Sequence, residues 1–196
     1  MQTDPVAQLE QLFLQACSLG DPCARYASFI TIDEDGLPAS RIVTLLSLDA
    51  AGIAVSVNAA SPKIRQWQAN GKWELAGFWP AQMVQYRLRG QAMLEQNEQL
   101  RRDWQAKRRA SRLADRYHQR IRQQSSPLPS RAALLAEMAQ LEREPDAVSD
   151  APPGIALLRL QIDMLELWTG SLADRLHDRR LYRKVADGWS ETVLVP

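Results

Sequence analysis

Apolar positions along the chain change period several times, and each change marks an element. Asp4-Pro5 opens a segment in which Leu9, Leu12, Phe13 and Ala16 recur at three- and four-residue spacing, which predicts a helix ended by Gly20-Asp21-Pro22. From Tyr26 the period shortens to two. YASFITID, the turn Glu34-Asp35-Gly36 and ASRIVTLLSLD predict a hairpin, and GIAVSVN after Gly52 predicts a third strand. Ser61 predicts an N-cap and Pro62 a first helical position for SPKIRQWQAN. KWELAGFW and MVQYRLRGQAML, separated by Pro80, predict two further strands.

Between Glu95 and Ser126 there is neither Gly nor Pro, and the pattern turns helical, with Ala110, Leu113, Ala114, Tyr117 and Ile121 as its apolar stripe. Pro127-Leu128-Pro129 breaks it, and Ser130 caps another helix through about Leu141. REPDAVSDAPPG reads as a polar connector. Beyond it Leu158, Leu160, Ile162 and Met164 alternate with polar residues before the phase flips to Leu165 and Leu167, which predicts a bulge. RRLYRKV and WSETVLV, joined at Asp187-Gly188, close the chain. Six to eight short strands, with helices at the start, after strand three and after strand five, predict a mostly β, antiparallel barrel with added helices, and no alternating βαβ sheet. The expected layout is a single domain over residues 1–196, with a helical insert at about 95–143 and C-terminal strands over 154–196.

Composition narrows the function. With 45% hydrophobic residues the chain is not disordered, and a net charge of +1 excludes a whole-molecule nucleic-acid or membrane footprint. The N-terminus lacks a basic n-region, and the least charged stretch, Ile42 to Pro62, is interrupted by Asp49-Ala-Ala-Gly52; a cytoplasmic protein without a membrane span is expected. Cys17 and Cys23 alone make no zinc site, and two histidines, His118 and His177, cannot build a multi-histidine metal centre. Nucleotide, metalloprotease and nucleophile-elbow motifs are absent, so an enzyme of this composition would take its chemistry from an organic cofactor.

Charge is concentrated locally. Arg101 to Arg122 holds nine basic residues and two acids, and Arg108, Arg112, Arg116 and Arg120 fall on one ridge of a helix. Three readings stand: a solvated face paired with the acidic 140s, an anion site, or a nucleic-acid patch weakened by scarce aromatics. Arg41, Lys63, Arg175 and Arg179 border apolar segments, where fixed cations commonly hold a phosphate.

Read in order, these segments resemble the pyridoxamine 5′-phosphate oxidase family of flavoproteins. DPVAQLEQLFLQA is similar to its first helix, ITIDEDGLPASRIVTLL to its first hairpin with the Arg-Ile-Val segment, and VNAASPK to its Asn-x-x-Ser-x-Lys stretch. Gln85 stands five residues before Gly90, QQSS matches an interior Gln-Ser motif, and WTGSLADRLHDRRLY matches the C-terminal signature. The resemblance implies an FMN-binding split β-barrel homodimer with FMN at the subunit interface. It assigns the cofactor to Arg41, Ile42, Val43, Ser61, Lys63, Gln85, Gln124, Ser125, Trp168 and Arg179. Arg175 and His177 would line the substrate side as the catalytic pair, with Arg108 and Trp104 also on the substrate. The implied activity is transfer of a hydride from a small reduced or amine-bearing metabolite to flavin, with O₂ as final acceptor.

Several positions depart from the family pattern. Leu46 replaces a Lys, Ser56-Val57 a Tyr-Thr pair, Pro62 an Arg and Trp104 a Tyr; one extra residue separates Trp168 from Arg175; and the family's basic N-terminal extension is missing. The cofactor positions are mostly kept while the substrate-phosphate positions are not. That pattern resembles the family's biosynthetic side branch, such as the flavin oxidase of phenazine assembly. A genuine pyridoxine/pyridoxamine 5′-phosphate oxidase, with Arg108 and Arg112 substituting for the lost Lys, and a non-catalytic flavin- or partner-binding module are the alternatives.

Overall fold

In the computed structural model, residues 4–144, 150–171 and 173–196 are described. The Asp4 side chain accepts the Val6 N–H at 2.9 Å, and Pro5 opens α1 (Pro5–Ser18), where its missing N–H leaves no bond unmade. Leu9, Phe13 and Ala16 form the buried face, as the spacing requires. The Phe13 ring meets Trp79 at 6.3 Å, and Trp79 in turn meets Tyr86 at 4.5 Å.

The described residues form eight strands: β1 (Tyr26–Ile32), β2 (Pro38–Asp49), β3 (Gly52–Asn58), β4 (Glu74–Trp79), β5 (Val84–Glu95), β6 (Ile155–Thr169), β7 (Asp178–Val185) and β8 (Gly188–Val193). Their order is β3-β2-β1-β4-β5-β6-β7-β8, and a further β3–β6 pairing closes the first six into an antiparallel barrel. Closure needs two glycines. A Cβ on Gly52 would lie 2.1 Å from the Leu160 carbonyl oxygen, and one on Gly90 would lie 2.1 Å from that of Gln161. Both positions let neighbouring backbones approach where no side chain fits.

Two compact units result. The barrel unit takes the described residues of Met1–Val55, with Gln66–Met93 and Leu158–Pro196; the helical unit takes Ser56–Arg65 and Leu94–Leu157. Phe29, Leu45, Ile53, Leu75, Tyr86, Leu88, Leu158 and Leu160 are buried in the barrel unit. In the helical unit, α3 (Glu98–Ala106), α4 (Arg109–Arg120) and α5 (Arg131–Glu142) bury Leu100, Trp104, Leu113, Tyr117 and Leu141 together with Ile155. Helix α2 (Pro62–Asn70) begins at the expected proline.

Two expectations are corrected. The Glu95–Ser126 segment is not one helix: Lys107 and Arg108 have extended backbone, at ψ 153° and 141°, and part α3 from α4. Three consecutive cations, Lys107 to Arg109, lie at that break, and the break lets Trp104 and the Leu113–Tyr117 face enter one core. Of the expected stripe only Leu113 and Tyr117 are buried, and Ile121 is exposed. Nor is there a bulge in the pairing of β6 with β7, whose register runs unbroken from Met164 to Thr169. Met164 to Leu167 are all buried, so both faces of β6 are covered there and alternation disappears from the sequence. A bulge does occur in β2, where Leu45 pairs with Val55 and Ser47 with Ala54, leaving Leu46 as the extra residue.

Candidate functional site

The barrel unit carries two groups of the expected residues. Arg41 stands on β2 opposite Phe29 of β1. Its Nη1 donates to the Phe29 carbonyl at 3.2 Å and to Thr31 Oγ1 at 2.6 Å, and its Nη2 to Gln66 Oε1 at 2.9 Å. The Thr31 hydroxyl donates to the same Gln66 oxygen at 2.7 Å, so the guanidinium is locked from three sides. All these acceptors are neutral. Burial pushes the Arg41 pKa down from its ordinary value, and nothing among these partners neutralises its charge. Thr31 also lines a cavity of about 480 Å³ walled by Ile30, Ile32, Pro38 and Trp73.

Beside Arg41, Ile42 faces outward and Val43 is buried in the core. The β2–β3 ladder runs from Leu45 to Asp49, so among the described residues the edge of β2 at Ile42 and Val43 faces no strand on that side. Backbone groups there can make directed hydrogen bonds to a planar ring. Further along, Arg25 Nη1 donates to the carbonyls of Leu45 at 3.4 Å and Leu46 at 3.2 Å, pinning the bulge that turns Leu46 outward, 47% exposed.

The second group gathers at the ends of β5, β6 and β7. The Trp168 and His177 rings lie 4.5 Å apart, and Ser171 N–H donates to His177 Nδ1 at 3.0 Å. Arg179, paired in register with Trp168, donates through Nε to Glu166 Oε1 at 3.0 Å. Glu166, nearly buried, also meets Arg87 at 3.4 Å. Arg87 then forks onto both oxygens of Glu74 at 3.1 Å, and Arg89 pairs with Glu74 as well. Burial works against the Glu74 charge, but the hydrogen bonds from Arg87 and Arg89 outweigh it and hold the carboxyl below its usual range. Sequence reasoning missed this run of three arginines and two glutamates. Its signal was visible in Arg87 and Arg89, which fall on one face of β5 two residues apart. Gln85 is exposed on the same strand, and Arg175 is exposed with a left-handed backbone at φ 60°.

In the helical unit, Ser61 is fully buried and its hydroxyl accepts from Lys63 Nζ at 3.1 Å, while its carbonyl takes the Ile64 and Arg65 N–H groups. The Ala60 carbonyl accepts from Arg65 at 2.7 Å and from Gln123 at 3.1 Å. Ser61, Lys63 and Arg65 therefore surround the same loop that Gln123 reaches, with half-buried Gln124 and exposed Ser125, at φ 70°, next in the chain. Arg65 and Gln123 had not been expected there. Lys107 Nζ, also unexpected, donates to Ser56 Oγ at 3.2 Å and pairs with Asp115 at 3.3 Å.

Trp104 corrects the substrate assignment. It has no exposed surface, packs in the helical core and donates its indole N–H to Asp115 at 2.9 Å, so it offers nothing to a ligand. Arg108 is exposed at the start of α4, where its carbonyl takes the Ser111 and Arg112 N–H groups. The rest of the basic ridge is engaged. Arg112 lies over the Trp104 ring, Arg116 donates to the Asp150 carbonyl and Arg120 pairs with Glu144 at 2.6 Å; beside the ridge, Arg109 pairs with Glu142 at 3.6 Å. Pairing with the acidic 140s is the reading of this helix that the contacts support.

Comparison with known proteins bears on this arrangement. The sequence profile of the pyridoxamine 5′-phosphate oxidase family matches residues 20–143. The chain belongs to that family. The pyridoxine/pyridoxamine 5′-phosphate oxidase of Herminiimonas arsenicoxydans is 32% identical over 197 residues, covering 98% of this chain and 90% of the relative. The enzyme of the same name from Ralstonia pickettii (strain 12J) is also 32% identical, covering 100% and 91%. Among solved structures, PhzG from Burkholderia lata 383 in complex with tetrahydrophenazine-1-carboxylic acid superposes with a TM-score of 0.83 at 23% identity, covering 100% of this chain and 94% of its own. A pyridoxamine 5′-phosphate oxidase-related, FMN-binding protein from Nostoc punctiforme PCC 73102 gives 0.68 at 21% identity, with full coverage of both chains. These two likenesses establish the split-barrel fold. No helix among the described residues is long and apolar enough to cross a membrane.

Proposed function

We propose that this member of the family is an FMN-dependent oxidase whose substrate is a small reduced or amine-bearing metabolite other than a B6 vitamer phosphate. The observation that carries the cofactor reading is Arg41: half-buried, fixed by three neutral acceptors, with its charge left over for an anion. That donor set fits a phosphate ester, for which a guanidinium offers a fork of parallel N–H groups. Lys63 and Ser61, with Gln124 and Ser125, would hold the phosphate and ribityl portion. Gln85 and the open β2 edge at Ile42–Val43 would meet the ring, and Trp168 with Arg179 would cover it. FMN held there would supply the two-electron chemistry for oxidising such a substrate, with O₂ as the final acceptor. Glu166 fixes Arg179 in place, and Arg175 and His177 face the substrate and orient it.

The substrate reading rests on Leu46. An outward leucine on a pinned bulge presents methyl groups, at the position where the family resemblance implies a lysine that would grip a substrate phosphate. Each charge-assisted hydrogen bond lost to a buried phosphate costs about 1.5–3 kcal/mol, so poor turnover of pyridoxamine phosphate is expected. PhzG, solved with a carboxylic acid, supports a carboxylate-bearing substrate as the alternative chemistry. One observation favours a genuine pyridoxine/pyridoxamine 5′-phosphate oxidase instead: Lys107 brings an ammonium to Ser56, and the curated relatives carry that name. Steady-state assays decide. The protein should purify yellow with FMN, oxidise pyridoxamine phosphate weakly, and gain that activity on Leu46→Lys. Turnover of pyridoxamine phosphate near ~10⁴ M⁻¹s⁻¹ by unaltered protein would overturn the substrate reading. Protein that takes up no FMN would overturn the oxidase itself.

A homodimer belongs to this proposal. Tyr26, Ile42, Leu46 and Phe78 are exposed on the outward faces of neighbouring strands β1, β2 and β4, an apolar surface suited to a second copy.

A further inference from the structure

The loop between β6 and β7 fixes more than the position of His177. Gly170 N–H donates to the Met83 carbonyl at 2.8 Å, anchoring the end of β6. The next amide, Ser171 N–H, donates to His177 Nδ1 at 3.0 Å. A neutral imidazole carries one proton, and a nitrogen that accepts a hydrogen bond does not bear it. The proton is therefore on Nε2. Turning the ring over would set a carbon against the Ser171 N–H and leave that donor without its partner, so the amide decides the ring orientation as well. The Trp168 indole, 4.5 Å away, holds the ring from one side.

What holds the Ser171 amide in place is Asp174. Its Oδ1 accepts from the Ser171 hydroxyl at 2.5 Å and from Leu176 N–H at 2.9 Å, tying the two ends of the turn together. The two donors, Ser171 first, keep the Asp174 carboxyl below its ordinary range and ionised. Within that turn Arg175 sits at φ 60°, a conformation that a residue with a side chain holds only when its surroundings impose it. One carboxylate thus shapes the backbone that presents Arg175 and aims His177.

We propose that His177 serves as a neutral imidazole donating a hydrogen bond through Nε2–H to an acceptor oxygen of the substrate, that it is not the base that takes the substrate's proton, and that Asp174 is its positioning residue. The role as donor rests on the oxidase reading above; the tautomer does not. It calls for substrates that present a carboxylate, phenolate or carbonyl oxygen at that point, with the substrate's released proton passing to water.

Long-range ¹H–¹⁵N spectra of the FMN-loaded protein at neutral pH test this directly. The chain has two histidines, so a His118→Gln variant leaves the His177 signals alone. The expected result is an unprotonated Nδ1 and a protonated Nε2. In Asp174→Ala the Nδ1 resonance should move toward the position of mixed tautomers, and Asp174→Asn, which keeps the acceptor oxygen, should restore it. A His177 protonated on Nδ1, or on both nitrogens, overturns the donor role. An Asp174→Ala spectrum identical to wild type overturns the positioning role. Protein that binds no FMN yet shows the Nε2–H tautomer separates failure of the oxidase reading from failure of this one.

Discussion

Arg41 is a strand residue whose side chain is spent on neutral oxygens, an expensive arrangement for a half-buried cation unless an anion completes it. Replacing it with Ala should weaken FMN binding by about 1–3 kcal/mol, or ~5–150-fold in Kd, read by quenching of flavin fluorescence. An unchanged Kd would remove Arg41 from the phosphate site. Gly90 gives a second check: a methyl group there meets the Gln161 carbonyl oxygen, so Gly90→Ala should cost about 1–3 kcal/mol by thermal unfolding, where an unstrained Gly→Ala change would stabilise. At this scale the sequence was partly legible. Arg41 and Lys63 stood out, with Arg175 and Arg179, because a cation bordering apolar segments needs a reason, and Ser61 stood out as a helix cap. Trp104 was assigned by resemblance alone, and nothing in the sequence tells an aromatic that faces a ligand from one packed in a core, where Trp104 lies. Arg65, Gln123 and Lys107 carried no signal, since only the folded loops bring them to Ala60 and Ser56.

Elements were legible wherever periodicity was clean: the eight strands, α1, α2 and α5 fall where alternation and caps place them. The failures have physical causes. No Gly or Pro marks the break between α3 and α4, across which Trp104 of α3 and Lys107 at the break itself both meet Asp115 of α4. The phase flip in β6 marked burial on both faces, whereas the real bulge in β2 sits in an apolar run where one extra leucine is invisible. Within the helical unit, Tyr117 and Arg122 converge on Glu137, with Arg122 N–H groups at 2.6–3.1 Å and the Tyr117 hydroxyl at 2.6 Å. The Arg122 guanidinium first, and the Tyr117 hydroxyl second, hold the Glu137 carboxyl down at about 2. A folded value below the unfolded one, ~4.3, makes this contribution full above pH ~4.3 and lost as pH falls toward 2. Helical signal in circular dichroism should therefore decline over that window, and Glu137→Gln should flatten this part of the acid transition. A transition with the same slope in the variant would show that the triad does not couple to acid unfolding.

For the whole molecule, the apolar outer surface of β1, β2 and β4 sets the expected assembly. Ile42 is 65% and Phe78 40% exposed, large values for such residues on a well-paired sheet. Ile42→Asp or Phe78→Asp should shift the proposed dimer to monomer in analytical ultracentrifugation and lower FMN affinity with it, since the proposed placement of flavin between subunits would link its binding to their association. A monomer of either variant that keeps full FMN affinity would place the cofactor within one chain.

Arg25 does more than pin the bulge at Leu46. Its guanidinium lies over the Phe13 ring, 5.7 Å from the centroid, so the first helix bears on the very backbone that presents Leu46. Sequence drift on α1, far from any ligand, can retune that presentation by loosening a single stacked arginine. Under the proposed role of Leu46, substrate preference in such a barrel would have a remote adjusting screw, one that lineages could turn without altering any residue that touches the substrate.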